Sequence, residues 1–244
     1  MSMYSLGILL LAALETAKVS VPTVCERALN LVDPETCDAR LASWAAHLLA
    51  QAKVTVNTIG REHIVPGESY VVISNHQSHY DIPAAFAAFG PKLRMIAKTE
   101  LFRIPLMGGA MEASGFIELD RHNQRQALTS LSVAREKIIS NRTSIWIAPE
   151  GTRSKTGKLG PFKKGGFHLA FNARLRVLPM AIDGTRRVHV PGARRVNKGQ
   201  TVRVTFGCPV DPAGFGKEGL GQLMSQVRAE IAQHLPAEAA GEPA

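Results

Sequence analysis

Apolar residues run without a polar interruption from residue 6 to 14, then Glu15 and Lys18 break the run and Pro22 closes it. A membrane-spanning helix wants about 18 or more apolar residues. A secretory signal wants positive charge ahead of the apolar run, and none precedes Leu6. The pattern predicts a helix over 4–20 that lies in or dips into one leaflet, with Leu6, Leu9 and Leu10 as membrane contacts. Packing of this helix on the rest of the chain is the alternative. In 38–51, Leu41, Ala45, Leu48 and Leu49 share one face with Trp44 beside them, which predicts an amphipathic helix. Asp33-Pro34 separates the two helices.

After residue 52 the period changes. Short β-rich runs at 54–59, 70–74, 93–97, 115–119, 144–148, 176–182 and 202–206 read as strands. Helical candidates at 82–89, 101–113, 123–140 and 164–173 lie between them, and 222–235 is a last helix. Alternation of this kind predicts an α/β fold. We expect a single domain with a largely parallel or mixed central sheet flanked by helices. The expected organisation is an N-terminal two-helix membrane-associating segment (1–52), the α/β domain (53–235) and a frayed tail (236–244).

Composition narrows the class. The chain of 244 residues is 45% hydrophobic and carries a net charge of +9, which suits a full core and excludes extended disorder. Three scattered cysteines exclude a disulfide scaffold and fit a reducing compartment. The charge is uneven: residues 153–203 hold thirteen Lys or Arg and one acid, Asp183. Such a stretch is either a solvated surface or a face for phosphates on nucleic acid, an anionic membrane or a small substrate.

Two segments carry candidate chemistry, each directly after an apolar strand, where open α/β sheets bind ligands. In Asn75-His76-Gln77-Ser78-His79-Tyr80-Asp81, the acid five residues on can fold back and hold one ring nitrogen of His76. The other nitrogen is then free as a general base. The same segment reads as a cap for a helix beginning near Pro83. His76, His79 and Asp81 are a rival metal set, but no second cluster supplies further ligands and no metal is expected. In Pro149-Glu150-Gly151-Thr152-Arg153-Ser154, the glycine turn exposes backbone N–H groups and Arg153 offers a planar fork for a phosphate. Glu150 can accept from a substrate hydroxyl or orient the arginine. Arg121, at the charged exit of strand 115–119, is a second phosphate candidate.

In order and spacing, N-H-x-x-x-x-D, G-x-I-x-L-D-R, P-E-G-T-R-S and Val177-Leu178-Pro179-Met180-Ala181-Ile182 resemble the four blocks of the glycerolipid acyltransferases, in particular bacterial-type 1-acylglycerol-3-phosphate (lysophosphatidic acid) acyltransferases. Phe162-Lys163-Lys164-Gly165 also looks like that family. The resemblance implies acyl transfer from acyl-CoA or acyl-carrier protein, as cosubstrate, to the free hydroxyl of lysophosphatidic acid, with no other cofactor. It implies His76 as base and Asp81 as its partner. It assigns the acceptor's phosphate and glycerol to Arg121, Glu150, Gly151, Thr152 and Arg153, and an acyl or structural role to Pro179. The absence of a Gly-x-Ser-x-Gly elbow agrees with direct attack and no acyl-enzyme. Two details depart from the pattern: Ala148 stands where an aromatic usually precedes the third block, and the fourth reads V-L-P-M-A-I.

A membrane-borne substrate would also account for Arg186, Arg187, Arg194 and Arg195, in a stretch with Pro191 and Gly192 that reads as a loop, as contacts to an anionic membrane surface. The expected location is then the cytoplasmic face of the inner membrane, peripheral or monotopic. Another lyso-acceptor, such as a lyso-ornithine lipid or a lysophospholipid, is the alternative within the same chemistry. Nucleic-acid binding is disfavoured, because the aromatics do not interleave with the basic residues and no nucleic-acid motif is present.

Overall fold

The computed structural model describes residues 3–119, 138, 140–216 and 218–241. Two helices, α1 (Met3–Ala28) and α2 (Pro34–Gln51), precede a seven-stranded sheet. Its strands are β1 (Thr55–Ile59), β2 (Val71–Ser74), β3 (Leu93–Lys98), β4 (Ile117–Leu119), β5 (Ser144–Ile147), β6 (Val177–Asp183) and β7 (Thr201–Phe206). They are ordered β1-β7-β6-β2-β5-β3-β4. Every neighbouring pair is parallel except β6 and β7, so β1 and β7 run against the other five. The mixed sheet and all seven strands match the pattern read from the sequence, within two residues at each end.

The helices among the strands are α3 (Asp81–Phe89), α4 (Thr99–Phe102), α5 (Met107–Ala113), α6 (Gly165–Ala173), α7 (Thr185–Val188), α8 (Leu220–Gln233) and α9 (Ala237–Ala240). They cover both faces of the sheet, which is why β2 is buried along its whole length and reads V-V-I-S rather than alternating. Val72 joins Phe86 and Leu178 in a core beneath α2 and α3. Val71 and Ile73 join Phe167, Leu223 and Val227 in a second core beneath α6 and α8. The period-2 geometry of a strand divides the residues between the two.

Four expectations need correction. Pro22 does not end α1, which runs on to Ala28. An internal proline costs about 3 kcal/mol, so the turns beyond it need outside support. Arg40 of α2 supplies it, with 2.6 Å bonds to both carboxylate oxygens of Glu26 and a 3.1 Å bond to Thr23. Arg27 adds bonds to Glu112 and to the Gly109 carbonyl beside α5. The continuous stretch Leu6–Ala28 is therefore long and apolar enough, by length and composition, to cross a membrane, with 22% of the window buried.

The helix expected over 101–113 is two helices, α4 and α5. Pro105 disfavours helical geometry in the residue before it, and Leu106 takes a left-handed φ of 65°. The stretch around residue 186 contains the short helix α7 rather than a plain loop. Part of the tail expected to fray is docked: the N–H of Leu159 donates to the carbonyl of Ala239 at 2.9 Å, and Ala239 is buried. The helix expected over 123–140 lies outside the described residues except at 138 and 140, which are helical. Cys25, Cys37 and Cys208 are free thiols.

Between α2 and β3, Asp38 and Arg94 form a buried pair, with 7% and 6% of their side chains exposed. Lys92 bonds the second Asp38 oxygen at 2.7 Å. Arg94 also donates to the carbonyls of Pro91 (2.7 Å) and Leu93 (2.9 Å). Removing Arg94 leaves the buried Asp38 with only the half-exposed Lys92, so Arg94→Met should cost about 3 kcal/mol in urea unfolding of the detergent-solubilised protein.

Candidate active site

Strand β2 ends at Ser74, whose hydroxyl accepts from the Trp146 indole N–H at 2.8 Å. The Asn75 side chain then imitates one more rung of sheet. Its Nδ2 donates to the Ile182 carbonyl and its Oδ1 accepts from the Ile182 N–H, both at 2.8 Å. With the chain pinned there, His76 emerges at the carboxyl edge of β2, and the turn after it leads into α3, which begins at Asp81.

Asp81 is fully buried. Its Oδ2 accepts from the backbone N–H groups of Gln77 (2.6 Å) and Ser78 (2.9 Å) and from Nδ1 of His76 (2.6 Å). Its Oδ1 accepts from the Thr185 hydroxyl, at the start of α7. A carboxylate only accepts, so His76 carries its proton on Nδ1 and Nε2 presents a lone pair. The His76 side chain is 22% exposed and packs edge-on to Trp146, with ring centroids 6.2 Å apart. This is an oriented base, partly exposed at the edge of the sheet.

The loop after β5 stitches to the same residue. Glu150 Oε1 accepts from the His76 N–H at 2.8 Å, and the Ser154 N–H donates to the His76 carbonyl at 2.7 Å. Oε2 of Glu150 accepts from the Gly160 N–H at 3.0 Å. Burial raises the Glu150 pKa, against these two backbone bonds. Gly151 has φ +75°, and a Cβ there would stand 3.0 Å from Nζ of Lys163, so the turn requires glycine.

The structure thus gathers His76, Asp81, Glu150, Gly151 and Arg153 at one edge of the sheet. Arg153 is half-buried, and its Nη1 is buried with no hydrogen-bond partner among the described residues. Thr152 is exposed on the same turn. Arg121 lies outside the described residues. Pro179 sits buried in the middle of β6. Its carbonyl accepts from Gly207, one residue past β7, so the donor that proline lacks faces a gap in the ladder.

Of the four arginines read as membrane contacts, Arg186 is tied inward to the carbonyls of Ser154 (3.2 Å) and Lys155 (2.8 Å). Arg187, Arg194 and Arg195 are exposed. Leu6, Leu9 and Leu10 are exposed on α1. Sequence reasoning missed Thr185. A threonine just after the Asp-Gly that ends β6 is its only signal, and that signal gains meaning once β6 is known to lie beside β2.

His79, three residues on in the same turn, is exposed as a residue but partly desolvated by the protein around its ring. That desolvation, together with Arg153, His189 and His76, lowers its pKa from 6.5 to about 4, against Asp81. Among the described residues no group of His, Cys, Asp and Glu is arranged to hold a metal ion.

A sheet with ligand groups on its carboxyl edge and an Asp-oriented histidine beside a glycine turn matches the model of the Acyltransferase family over residues 55–183, more than half of the chain. The chain belongs to that family. It is 32% identical over 183 residues to the 1-acyl-sn-glycerol-3-phosphate acyltransferase of Saccharomyces cerevisiae, covering 74% of this chain and 59% of that protein. It is 30% identical over 229 residues to the human 1-acyl-sn-glycerol-3-phosphate acyltransferase alpha, covering 93% and 77%. The crystal structure of the 1-acyl-sn-glycerophosphate (LPA) acyltransferase PlsC from Thermotoga maritima superposes with a TM-score of 0.74 at 27% identity, covering 94% of this chain and 95% of that one.

Two outcomes follow from the geometry. Thr185→Val removes one donor from a buried carboxylate and should lower the kcat of acyl transfer about tenfold, with a smaller change in KM. For His79, the unfolded chain takes up a proton as pH falls through 6.5 while the folded chain does so only near 4. Its lowered pKa therefore withdraws stability as pH falls through that window. His79→Gln should narrow the difference in Tm between pH 7 and pH 4.5, measured by thermal melts of both proteins.

Proposed function

We propose that the protein transfers a fatty acyl group from acyl-CoA or acyl-carrier protein to the free hydroxyl of 1-acylglycerol 3-phosphate, giving phosphatidate. The observation that carries this reading is the His76–Asp81 pair, with Nδ1 held at 2.6 Å and Nε2 unencumbered at the sheet edge. Nε2 takes the proton of the acceptor hydroxyl as its oxygen attacks the thioester carbonyl. The imidazolium that forms is stabilised by Asp81. Collapse of the tetrahedral intermediate expels the thiolate, which takes the proton back, so no acyl-enzyme is needed. Arg153 and the backbone of the turn Glu150-Gly151-Thr152, with Arg121, bind the acceptor's phosphate and glycerol. Acyl-CoA or acyl-carrier protein enters as cosubstrate and no resident cofactor takes part. The names of the relatives support this acceptor.

Membrane association fits the same reading. Helix α1 turns Leu6, Leu9, Leu10 and Leu14 outward, between 41% and 63% exposed. Arg194 and Arg195 are exposed, and Arg187 is exposed beside Asp183 at 3.4 Å; a basic side chain near an anionic leaflet is worth about 1 kcal/mol. The location proposed is the cytoplasmic face of the inner membrane, with α1 peripheral or monotopic.

The test is thiol release from a long-chain acyl-CoA by the purified protein in detergent, with and without lysophosphatidate. Release should require the acceptor. His76→Ala should lower turnover about a thousandfold, the scale of a lost general base. Arg153→Ala should chiefly raise KM for lysophosphatidate. Near-normal turnover by His76→Ala would overturn the mechanism. Turnover with another lyso-acceptor alone would overturn the substrate.

A further inference from the structure

We propose that His79 and His189, with Arg153, form a proton-linked recognition site for the acceptor's phosphate monoester, in which His79 takes up a proton as the phosphate binds. The inference rests on the acceptor class proposed above and assigns it two residues outside the motif positions.

Two polar atoms beside His79 lack partners among the described residues: Nη1 of Arg153 and Nδ1 of His189. His189 is 9% exposed, and its ring centroid lies 5.8 Å from that of His79. Its Nε2 bonds the Ala193 carbonyl at 2.9 Å, and a carbonyl only accepts, so the proton of neutral His189 is on Nε2. Nδ1 is therefore an acceptor without a donor, and Arg153 Nη1 is a donor without an acceptor. The Ser78 hydroxyl donates to the His189 carbonyl at 2.7 Å, which ties His189 to the turn that carries His76. Orphaned buried groups are costly and point to a missing ligand atom.

A phosphate monoester would satisfy both orphans. Its unprotonated oxygens accept from Arg153, and its hydroxyl, in the monoanion, donates to His189. It also reverses the field at His79. The charged and titratable groups facing His79 are Arg153, His189, His76 and Asp81. Burial and the first three disfavour a proton on His79, while Asp81 alone favours it. The bound monoanion offsets the charge of Arg153 and brings an unprotonated oxygen beside the ring, so His79 becomes a cation and a further donor. A phosphodiester has no ionisable hydroxyl and so cannot donate to His189. The site therefore separates lysophosphatidate from lysophospholipids with larger head groups.

The experiment is a pH titration of protein labelled with ¹³C-histidine, followed by NMR in detergent micelles. The His79 signal is assigned by its absence in His79→Gln. Adding 1-oleoylglycerol 3-phosphate should raise the His79 midpoint by about one pH unit or more, and lysophosphatidylglycerol by less than half of that. In parallel, His79→Gln should raise KM for lysophosphatidate about tenfold at pH 6 and less at pH 8, with kcat within about twofold. An unmoved midpoint, equal shifts with both lipids, or a loss in kcat with KM intact would overturn the proposal. If the wild-type protein turns over no lysophosphatidate, the substrate reading fails by itself. The same titration with glycerol 3-phosphate then decides this one: a raised midpoint supports it, and none overturns it.

Discussion

The Asp81 carboxylate is out of reach of water, and a buried carboxylate must be supplied with donors from the protein. Two of its donors are backbone N–H groups of its own turn, one is His76, and one is the Thr185 hydroxyl, about a hundred residues along the chain. Meeting that demand fixes the geometry of the edge. The turn after β2 has to curl back on α3. Thr185 has to follow β6 immediately, which it does through Gly184 at φ +97°, where a Cβ would stand 2.6 Å from the Thr201 carbonyl. The base is oriented because its partner's burial leaves few other arrangements.

The loop after β5 adds a second layer of constraint and divides its charged groups by task. Glu150 spends both oxygens on backbone N–H groups, one of them that of His76, so it holds the main chain of the base in place. Arg186 spends its guanidinium on the carbonyls of Ser154 and Lys155 and anchors the same loop from α7. Arg153, within that loop, keeps a nitrogen without a partner among the described residues. Two arginines from one basic stretch therefore have opposite uses: one is saturated by the protein, and the other is held open beside the base.

That division was not legible in the sequence, whereas the sheet was. The strands were readable because β2, β5 and β6 are covered on both faces, and V-V-I-S, S-I-W-I and V-L-P-M-A-I are continuous apolar runs bounded by polar turns. His76 and Asp81 were readable because their partnership is local, five residues apart. Thr185 and the bonding of Glu150 were not, since both depend on which strands lie side by side. The end of α1 was misread because Pro22 is a strong local breaker and its compensation, Arg40 on Glu26 and Thr23, comes from another helix. The basic stretch showed its total charge but not which members were already paired.

The α1–α2 hairpin reverses the usual polarity of a packed helix pair, and this bears on how the site meets its substrate. Its seam holds polar contacts: Glu15 with His47, Thr16 with Trp44, and Glu26 and Thr23 with Arg40. With polar groups inside, Leu6, Leu10 and Leu14 are left half-exposed on the outer face, where each forgoes about half of the 1.5–3 kcal/mol that full burial gives in water. An apolar surrounding recovers that energy without disturbing the seam. Helix α2 in turn packs on α3 through Leu41, Ala45 and the edge contact of Trp44 with Phe86, and α3 begins at Asp81. The outward leucines and the oriented base are thus joined by rigid helix packing. Any surface that takes up α1 also sets the angle and height at which His76 faces it.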